Sequence, residues 1–268
     1  MKHNKHANKP RRGRNKSKGT GKSQPDSTLR LYGLHTVRAA LLNDKRQKSK
    51  LYVNEHSISR LGEDLIHASG VPTTVIFPDE LDKLVGAEAV HQGVILECSP
   101  LDTLDASELF HLVDSPMLLA LDQITDPHNV GAILRSAVAM GVDAVLMTSR
   151  NSALETAVLA KSASGALDMV KLVHLRNLTK GLDELNQMGF ATIGLDSEGP
   201  LVLEETLTNT RGSNVCLILG SEGKGLREKT RITCTALARL DMPGAIKSLN
   251  VSNAAALSLY VVAKSFAD

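Results

Sequence analysis

From Met117 onward the chain repeats one pattern, a short, largely apolar run followed by a stretch with helical spacing, and this limits the possible folds more than any other feature. Met117 to Leu121, Ala144 to Met147, Leu172 to Leu175, Ala191 to Leu195, Val215 to Leu219 and Ala236 to Leu240 read as strands. Ile133 to Met140, Thr156 to Ala166, Leu178 to Met188 and Val251 to Phe266 read as helices. Strands that are apolar along their length are buried on both faces, so the expected class is α/β, with a parallel sheet covered by helices on either side. Ligands in such sheets bind beyond the carboxyl ends of the strands.

Residues 29–99 read as a separate small α/β unit. Leu31 to Leu42 has helical spacing after Gly33, Leu51 to Val53 is a short strand, and Ile58 to Ala68 is helical. Val71 to Phe77 is strand-like, a helix begins near Asp79, and Val94 to Leu96 closes the unit as a strand. Residues 100–115, polar and bracketed by Pro100 and Pro116, are the expected linker, and residues 116–268 form the second domain. Residues 1–28 have few apolar side chains and carry nine basic residues against one acid, Asp26, a net charge of +8. The whole-chain value of +2 therefore conceals a body with 22 bases and 28 acids, a net −6. Such an arm cannot bury enough surface to offset its chain entropy, so it is expected to be disordered and to contact a polyanion by counterion release.

Several classes are excluded. No apolar run approaches the ~18–20 residues of a membrane span, and the N-terminus lacks the apolar core of a secretory signal, so a cytoplasmic protein is expected. Cys98, Cys216 and Cys234 are scattered and odd in number, which suggests reduced thiols and no metal site. Gly19 to Ser23 resembles part of a phosphate loop, but Lys16 stands where a glycine is needed and no strand precedes it. Aromatic residues are 3% of the chain with no Trp, too few for RNA modules that stack bases on exposed rings.

Three loops after strands are rich in polar and turn-forming residues. The first runs from Asp122 to Arg135. Asp126-Pro127 favours a turn, Asn129 is positioned to cap the next helix, and Gly131 permits close backbone approach. Six helical steps place Asn129 and Arg135 on roughly one side, although a surface Arg135 paired with Asp122 or Asp126 explains the same spacing. The second loop, Leu219 to Leu226, carries Gly220, Gly223 and Gly225 around Glu222. It is not a dinucleotide fingerprint, and Glu222 would repel a pyrophosphate, so a neutral or cationic ligand fits better. The third, Asp241 to Asn253, turns at Pro243-Gly244, and either Ser248 or Asn250 caps the last helix. It offers more polar donors than one cap needs.

Together the loops resemble the three motifs of the SpoU family, within the SPOUT class of knotted RNA methyltransferases. The first motif is Asn129 to Arg135, the second Leu219 to Gly225, and the third Met242-Pro243-Gly244 with Ser248 to Ser252. Tyr32 to Leu41 and His91 to Val94 are similar to the RNA-recognition domain of the branch that methylates a 23S rRNA guanosine, a domain like ribosomal proteins of the L30e type. The long basic arm, and Lys247 where a small residue is common, depart from the pattern. The resemblance implies a deep trefoil knot in the C-terminal domain, a rare exception to unthreaded topology. It also implies a homodimer and an RNA 2′-O-ribose methyltransferase that uses S-adenosylmethionine and no metal. Its partner is RNA, with neither DNA nor membrane.

By the same resemblance Asn129, Arg135, Glu222, Ser248 and Asn250 form the catalytic set. Leu195, Gly220, Leu240, Met242 and Leu249 hold the methyl donor. The family assigns hydroxyl activation to the arginine, but a guanidinium is a poor base. The expected role of Arg135 is to stay charged, hold the adjacent phosphate and stabilise a developing alkoxide. Glu222 either orients Arg135 or takes the proton through water, while Asn129 and Asn250 fix the ribose and the loops. Two other readings remain: a tRNA ribose methyltransferase, and a non-catalytic RNA-binding assembly factor. A nucleotide-dependent dehydrogenase is disfavoured because no early glycine fingerprint precedes an acid ~20 residues on.

Overall fold

The computed structural model describes residues 28–112, 116–148 and 155–266, with the isolated positions 1 and 114. The basic arm expected to be disordered lies outside the described residues. The N-terminal unit runs β1 (Leu29–Tyr32), α1 (Leu34–Leu42), β2 (Lys48–Val53), α2 (Glu55–Leu61), α3 (Glu63–Ser69), β3 (Thr73–Val75), α4 (Pro78–Val85) and β4 (Val94–Cys98). Its four strands form a mixed sheet in the order β1-β4-β2-β3, in which only β2 and β3 are parallel. The helical spacing from Leu31 conceals β1, a four-residue strand that ends at Tyr32 and pairs with β4. The helix expected over Ile58 to Ala68 is two helices, because Gly62 adopts φ 103° between them.

The second unit continues with β5 (Met117–Asp122), α5 (Pro127–Ala139), β6 (Ala144–Thr148), α6 (Ala157–Ala163), β7 (Lys171–Leu175) and α7 (Leu178–Gln187). It ends with β8 (Ala191–Leu195), β9 (Leu201–Val202), α8 (Leu203–Asn209), β10 (Val215–Gly220), α9 (Glu228–Thr233), β11 (Ala236–Arg239) and α10 (Val251–Ser265). All seven strands are parallel, in the order β7-β6-β5-β10-β8-β11-β9. After β7 the chain crosses the sheet to β8, and β10 later fills the slot between β5 and β8. β5 shows why its run is unbroken. All six residues are buried, with Leu119 and Leu121 in the core beneath α5, α6 and α10, and Leu118 and Ala120 in the core beneath α7. The α5–α6 contact depends on Gly131, where a Cβ would lie 2.5 Å from Ser162 Cβ and 2.6 Å from the Leu159 carbonyl oxygen. Among the described residues no helix is long and apolar enough to cross a membrane.

The two units share a core and are joined by a buried ion cluster. Arg46, whose side chain is 0% exposed, donates Nε to Asp168 Oδ1 at 2.6 Å, Nη2 to Asp168 Oδ2 at 3.2 Å and Nη1 to Glu155 Oε1 at 2.7 Å. Glu155 Oε2 in turn accepts the Leu101 amide at 2.7 Å. Burial alone lowers the proton affinity of the guanidinium, but the two carboxylates more than reverse this, so its pKa is raised. Cys98 lies against the same guanidinium, and burial pushes its thiol up to about 11, which keeps it protonated and unreactive at neutral pH. Residues 104–112 also bind the second unit. Leu104 pairs with Val173 on the exposed edge of β7, and a 3₁₀ turn follows over Ala106–Leu112.

Breaking a buried ion pair strands a charge, whereas replacing both partners with apolar groups does not. Asp168→Ala is expected to lower stability by about 3–5 kcal/mol in urea denaturation, and Arg46→Met combined with Asp168→Leu and Glu155→Gln, which leaves no charge unpaired, to recover most of that loss.

Candidate active site

The order of the sheet brings distant loops to one end. β5 ends at Asp122 opposite Gly220 of β10, and Leu195 of β8 pairs with Ala238 of β11, so four adjacent strands release their chains side by side. Asp122, buried at this end, accepts the Arg227 amide at 3.1 Å and Arg227 Nε at 2.7 Å. This ion pair fixes the loop after β10 against the end of β5. Within that loop Ser221 and Gly225 exchange backbone hydrogen bonds of 3.1 and 2.9 Å, which folds the chain back over Gly220. A Cβ at Gly220 would stand 2.2 Å from the Gly225 carbonyl carbon, so only glycine fits there.

Glu222, at the tip of this loop, joins all three segments. Its Oε1 accepts Asn129 Nδ2 at 3.3 Å, Asn250 Nδ2 at 2.5 Å and the Val251 amide at 3.2 Å. Asn250 Nδ2 also reaches Asn129 Oδ1 at 3.0 Å. Among the described residues Glu222 Oε2 has no hydrogen-bond partner. Asn250, and not Ser248, caps α10, accepting the Ser252 amide and hydroxyl at 2.9 and 2.6 Å. The carboxylate therefore sits at the N-terminus of a fifteen-residue helix, where the helix dipole favours negative charge.

Beside Glu222 lies a cleft of about 270 Å³ lined by Leu195, Gly220, Leu240, Met242, Ser248 and Leu249. The five candidate donor-binding residues thus share one wall system with two of the catalytic set, Glu222 and Ser248. Lys247 Nζ closes the third loop on itself by donating to the Met242 carbonyl. The sequence reading missed Asp196 and Ser197, which also line the cleft from the end of β8. Only the polar step after the Ala191 run hinted at them.

Two expectations fail. Asn129 does not cap α5. Asp126 does, accepting the His128 amide at 3.0 Å with Pro127 in the first turn, and Asn129 is inside the helix. Six helical steps also rotate about 600°, which leaves Asn129 and Arg135 about 120° apart around the axis. Arg135 is exposed and, among the described residues, has no hydrogen-bond or ion-pair partner. The alternative pairing with Asp122 or Asp126 is not formed either, since the first holds Arg227 and the second caps α5.

This geometry has a family. Residues 116–260 match the SpoU rRNA Methylase family, and residues 30–104 match the RNA 2′-O ribose methyltransferase substrate binding family. The chain belongs to the SpoU rRNA methylase family. It is 37% identical over 238 residues to the 23S rRNA (guanosine-2′-O-)-methyltransferase RlmB of Pseudomonas aeruginosa, covering 87% of this chain and 95% of the relative. Its identity to the RlmB of Coxiella burnetii is 35%, over 87% and 94% of the two chains. In fold it is similar to the SpoU methyltransferase AviRb from Streptomyces viridochromogenes, solved in complex with AdoMet, with a TM-score of 0.75, 19% identity and coverage of 90% and 91%. In this SpoU chain the Glu222 hub joins the motifs, and Gly220 sets the second. Gly220→Ala is expected to push the 221–225 turn outward, lowering stability by about 1–3 kcal/mol and removing hydrogen-exchange protection from the Ser221 and Gly225 amides.

Proposed function

We propose that this chain transfers the methyl group of S-adenosylmethionine to the ribose 2′-oxygen of a guanosine in 23S rRNA, the reaction named for its RlmB relatives. The observation that carries the reading is the meeting of three distant loops at Glu222 beside a single cleft. The cleft suits the donor. Leu195, Leu240 and Leu249 offer apolar walls for an adenine, and Glu222 offers negative charge toward a sulfonium. The donor supplies an activated methyl on sulfur, so positioning carries much of the rate.

A 2′-hydroxyl attacks well only as its proton leaves. Oε1 of Glu222 is occupied by three donors, and its free Oε2 accepts that proton, directly or through water. With Glu222 bound to Asn129 and Asn250, its other suggested role of orienting Arg135 has no support in the geometry. Arg135, free of acidic partners, holds the phosphate next to the target and stabilises the alkoxide. Asn129 and Asn250 position the ribose, and Ser248 bounds the cleft.

The remaining features belong to the same proposal. Residues 29–99 form an L30e-like recognition domain, 100–115 a linker, and 116–268 the methyltransferase domain. The basic arm, residues 1–28, with nine basic residues against one acid, contacts rRNA. A deep trefoil knot in the C-terminal domain belongs to the same proposal, and a strand order in which β10 lies between the earlier β5 and β8 is compatible with it. The chain works in the cytoplasm as a homodimer, and the exposure of Leu257 and Tyr260 along α10 provides an apolar face for the second copy.

The test is methylation of purified 23S rRNA and tRNA by the full chain, with 2′-O-methyl sites mapped afterwards. Methyl transfer to one guanosine of 23S rRNA is expected; transfer only to tRNA would overturn the substrate, and no transfer would overturn the activity. Glu222→Gln is expected to lower kcat about 10²–10⁴-fold. Arg135→Ala is expected to lower it about 10²–10³-fold, with Arg135→Lys retaining most of the turnover.

A further inference from the structure

We infer that Lys161, bridged to Gln92 across the junction of the two units, holds a phosphodiester of the RNA strand that runs from the N-terminal unit to the methylated ribose. The inference rests on the proposed RNA substrate and assigns part of its path. Lys161 stands in the last turn of α6 and donates Nζ to Gln92 Oε1 at 3.0 Å. The same oxygen accepts the Leu34 amide at the start of α1, also at 3.0 Å. Two donors, one of them a charged ammonium, thus share one neutral acceptor, and among the described residues no carboxylate pairs with Lys161. Burial holds its pKa below the ordinary lysine value, and no acid offsets this. A half-buried ammonium with only an amide oxygen to neutralise it favours an incoming anion.

Gln92 is placed for this contact at some cost. It adopts φ 57°, a left-handed conformation uncommon for a residue with a side chain. The turn is held from both sides, with Ser57 Oγ donating to the Gln92 carbonyl at 3.0 Å and the Gly93 amide donating to His91 Nδ1 at 3.0 Å. Strain maintained by surrounding contacts marks functional segments more often than connectors. Gly33 adopts φ 92°, and a Cβ there would lie 2.4 Å from Lys161 Nζ and displace the lysine head from Gln92.

The site also connects to the catalytic loops. Ser162, the next residue on α6, shares a 3.2 Å hydrogen bond with His128 Nδ1, and His128 precedes Asn129 of the Glu222 hub. A polar track therefore leads from Gln92 through Lys161, Ser162 and His128 to the reacting ribose. Glu222 stands at its far end, and Asp126, the cap of α5, bonds the His128 amide beside it. An RNA backbone fits this track because its phosphates meet the cation while the ribose reaches the carboxylate.

The experiment is filter binding of transcribed 23S rRNA to the full chain across a range of salt concentrations, with S-adenosylmethionine affinity measured by calorimetry. Lys161→Ala is expected to weaken RNA binding about tenfold. It should also reduce the slope of log affinity against log salt by about one, as loss of a single phosphate contact does. Lys161→Arg should bind RNA nearly as well as the unaltered chain, donor affinity should be unchanged in both variants, and Lys180→Ala, on the exposed face of α7, should change nothing. Unaltered RNA affinity and salt slope in Lys161→Ala would overturn the inference. So would equal loss in the Ala and Arg variants together with a lowered melting temperature, which is the result of a structural role. If the unaltered chain binds 23S rRNA without methylating it and Lys161→Ala loses binding, this assignment stands and the proposed reaction falls. A chain that binds no RNA overturns both.

Discussion

The functional end of the molecule depends on the insertion of β10 between β5 and β8. A strand in that slot pairs with neighbours on both sides, and its register places Gly220 opposite Asp122 while Ile218 stands opposite Gly194. The glycine loop must therefore emerge between the first motif and the end of β8, whatever its own preferences. Small residues make the arrangement possible. A Cβ at Gly194 would lie 2.8 Å from Leu226 and Leu237, and one at Gly220 would enter the backbone of its own loop. The Asp122–Arg227 pair then holds the returning chain at the point where it leaves the sheet. A carboxylate buried this deeply needs a partner, and it has both a charged one and a backbone amide.

Parts of this were legible in the sequence, for identifiable physical reasons. β5 and β10 read correctly because a strand buried on both faces must be apolar at every step. The long α10 read correctly because helical spacing persists over four turns. Helix starts were harder. Periodicity begins α5 at Ile133, yet Asp126 and Pro127 start it six residues earlier, and only the capping chemistry carries that information. The strand β1 is four residues long and runs straight into α1, so the stronger helical period absorbs it.

The site divides along the same line. Residue types that mark loops were visible, and Gly220, Gly223 and Gly225 of the second loop do gather at one cleft, with Met242 just before the Pro-Gly turn. The bonds that join them were not, because Asn129 and Glu222 are 93 positions apart and Asn129 and Asn250 are 121 apart. No periodicity links such residues. Arg46 was equally hidden: in the polar run after Leu42 it reads as a solvated side chain, yet it is the buried tie between the two units. Its carboxylates come from Glu155 and Asp168, more than a hundred residues away. Arg135 misled in the opposite direction, since six helical steps suggest one side of the helix, whereas they leave it about 120° from Asn129.

Buried and loop-fixing cations are held by acids or, like Arg38 and Arg239, by backbone carbonyls. Arg46, Arg227 and Arg231 each have an acidic partner, and each holds segments of the chain together. Arg135 and Lys161 have none among the described residues, although the body of the chain carries more acids than bases. Partners of opposite sign were therefore available, and these two cations are kept apart from them. One stands on α5, which carries Asn129, and the other on α6, which packs against α5 at Gly131. Glu222 is the reverse case, an anion at the site held by neutral amides and a helix N-terminus, with no cation to satisfy it. In the proposed reading the two cations meet phosphates and Glu222 meets the reacting ribose, which fits a ligand that is anionic along its length and gives up a proton at one point. A ribose within a phosphodiester chain has that character, whereas a small neutral substrate would leave both cations unused.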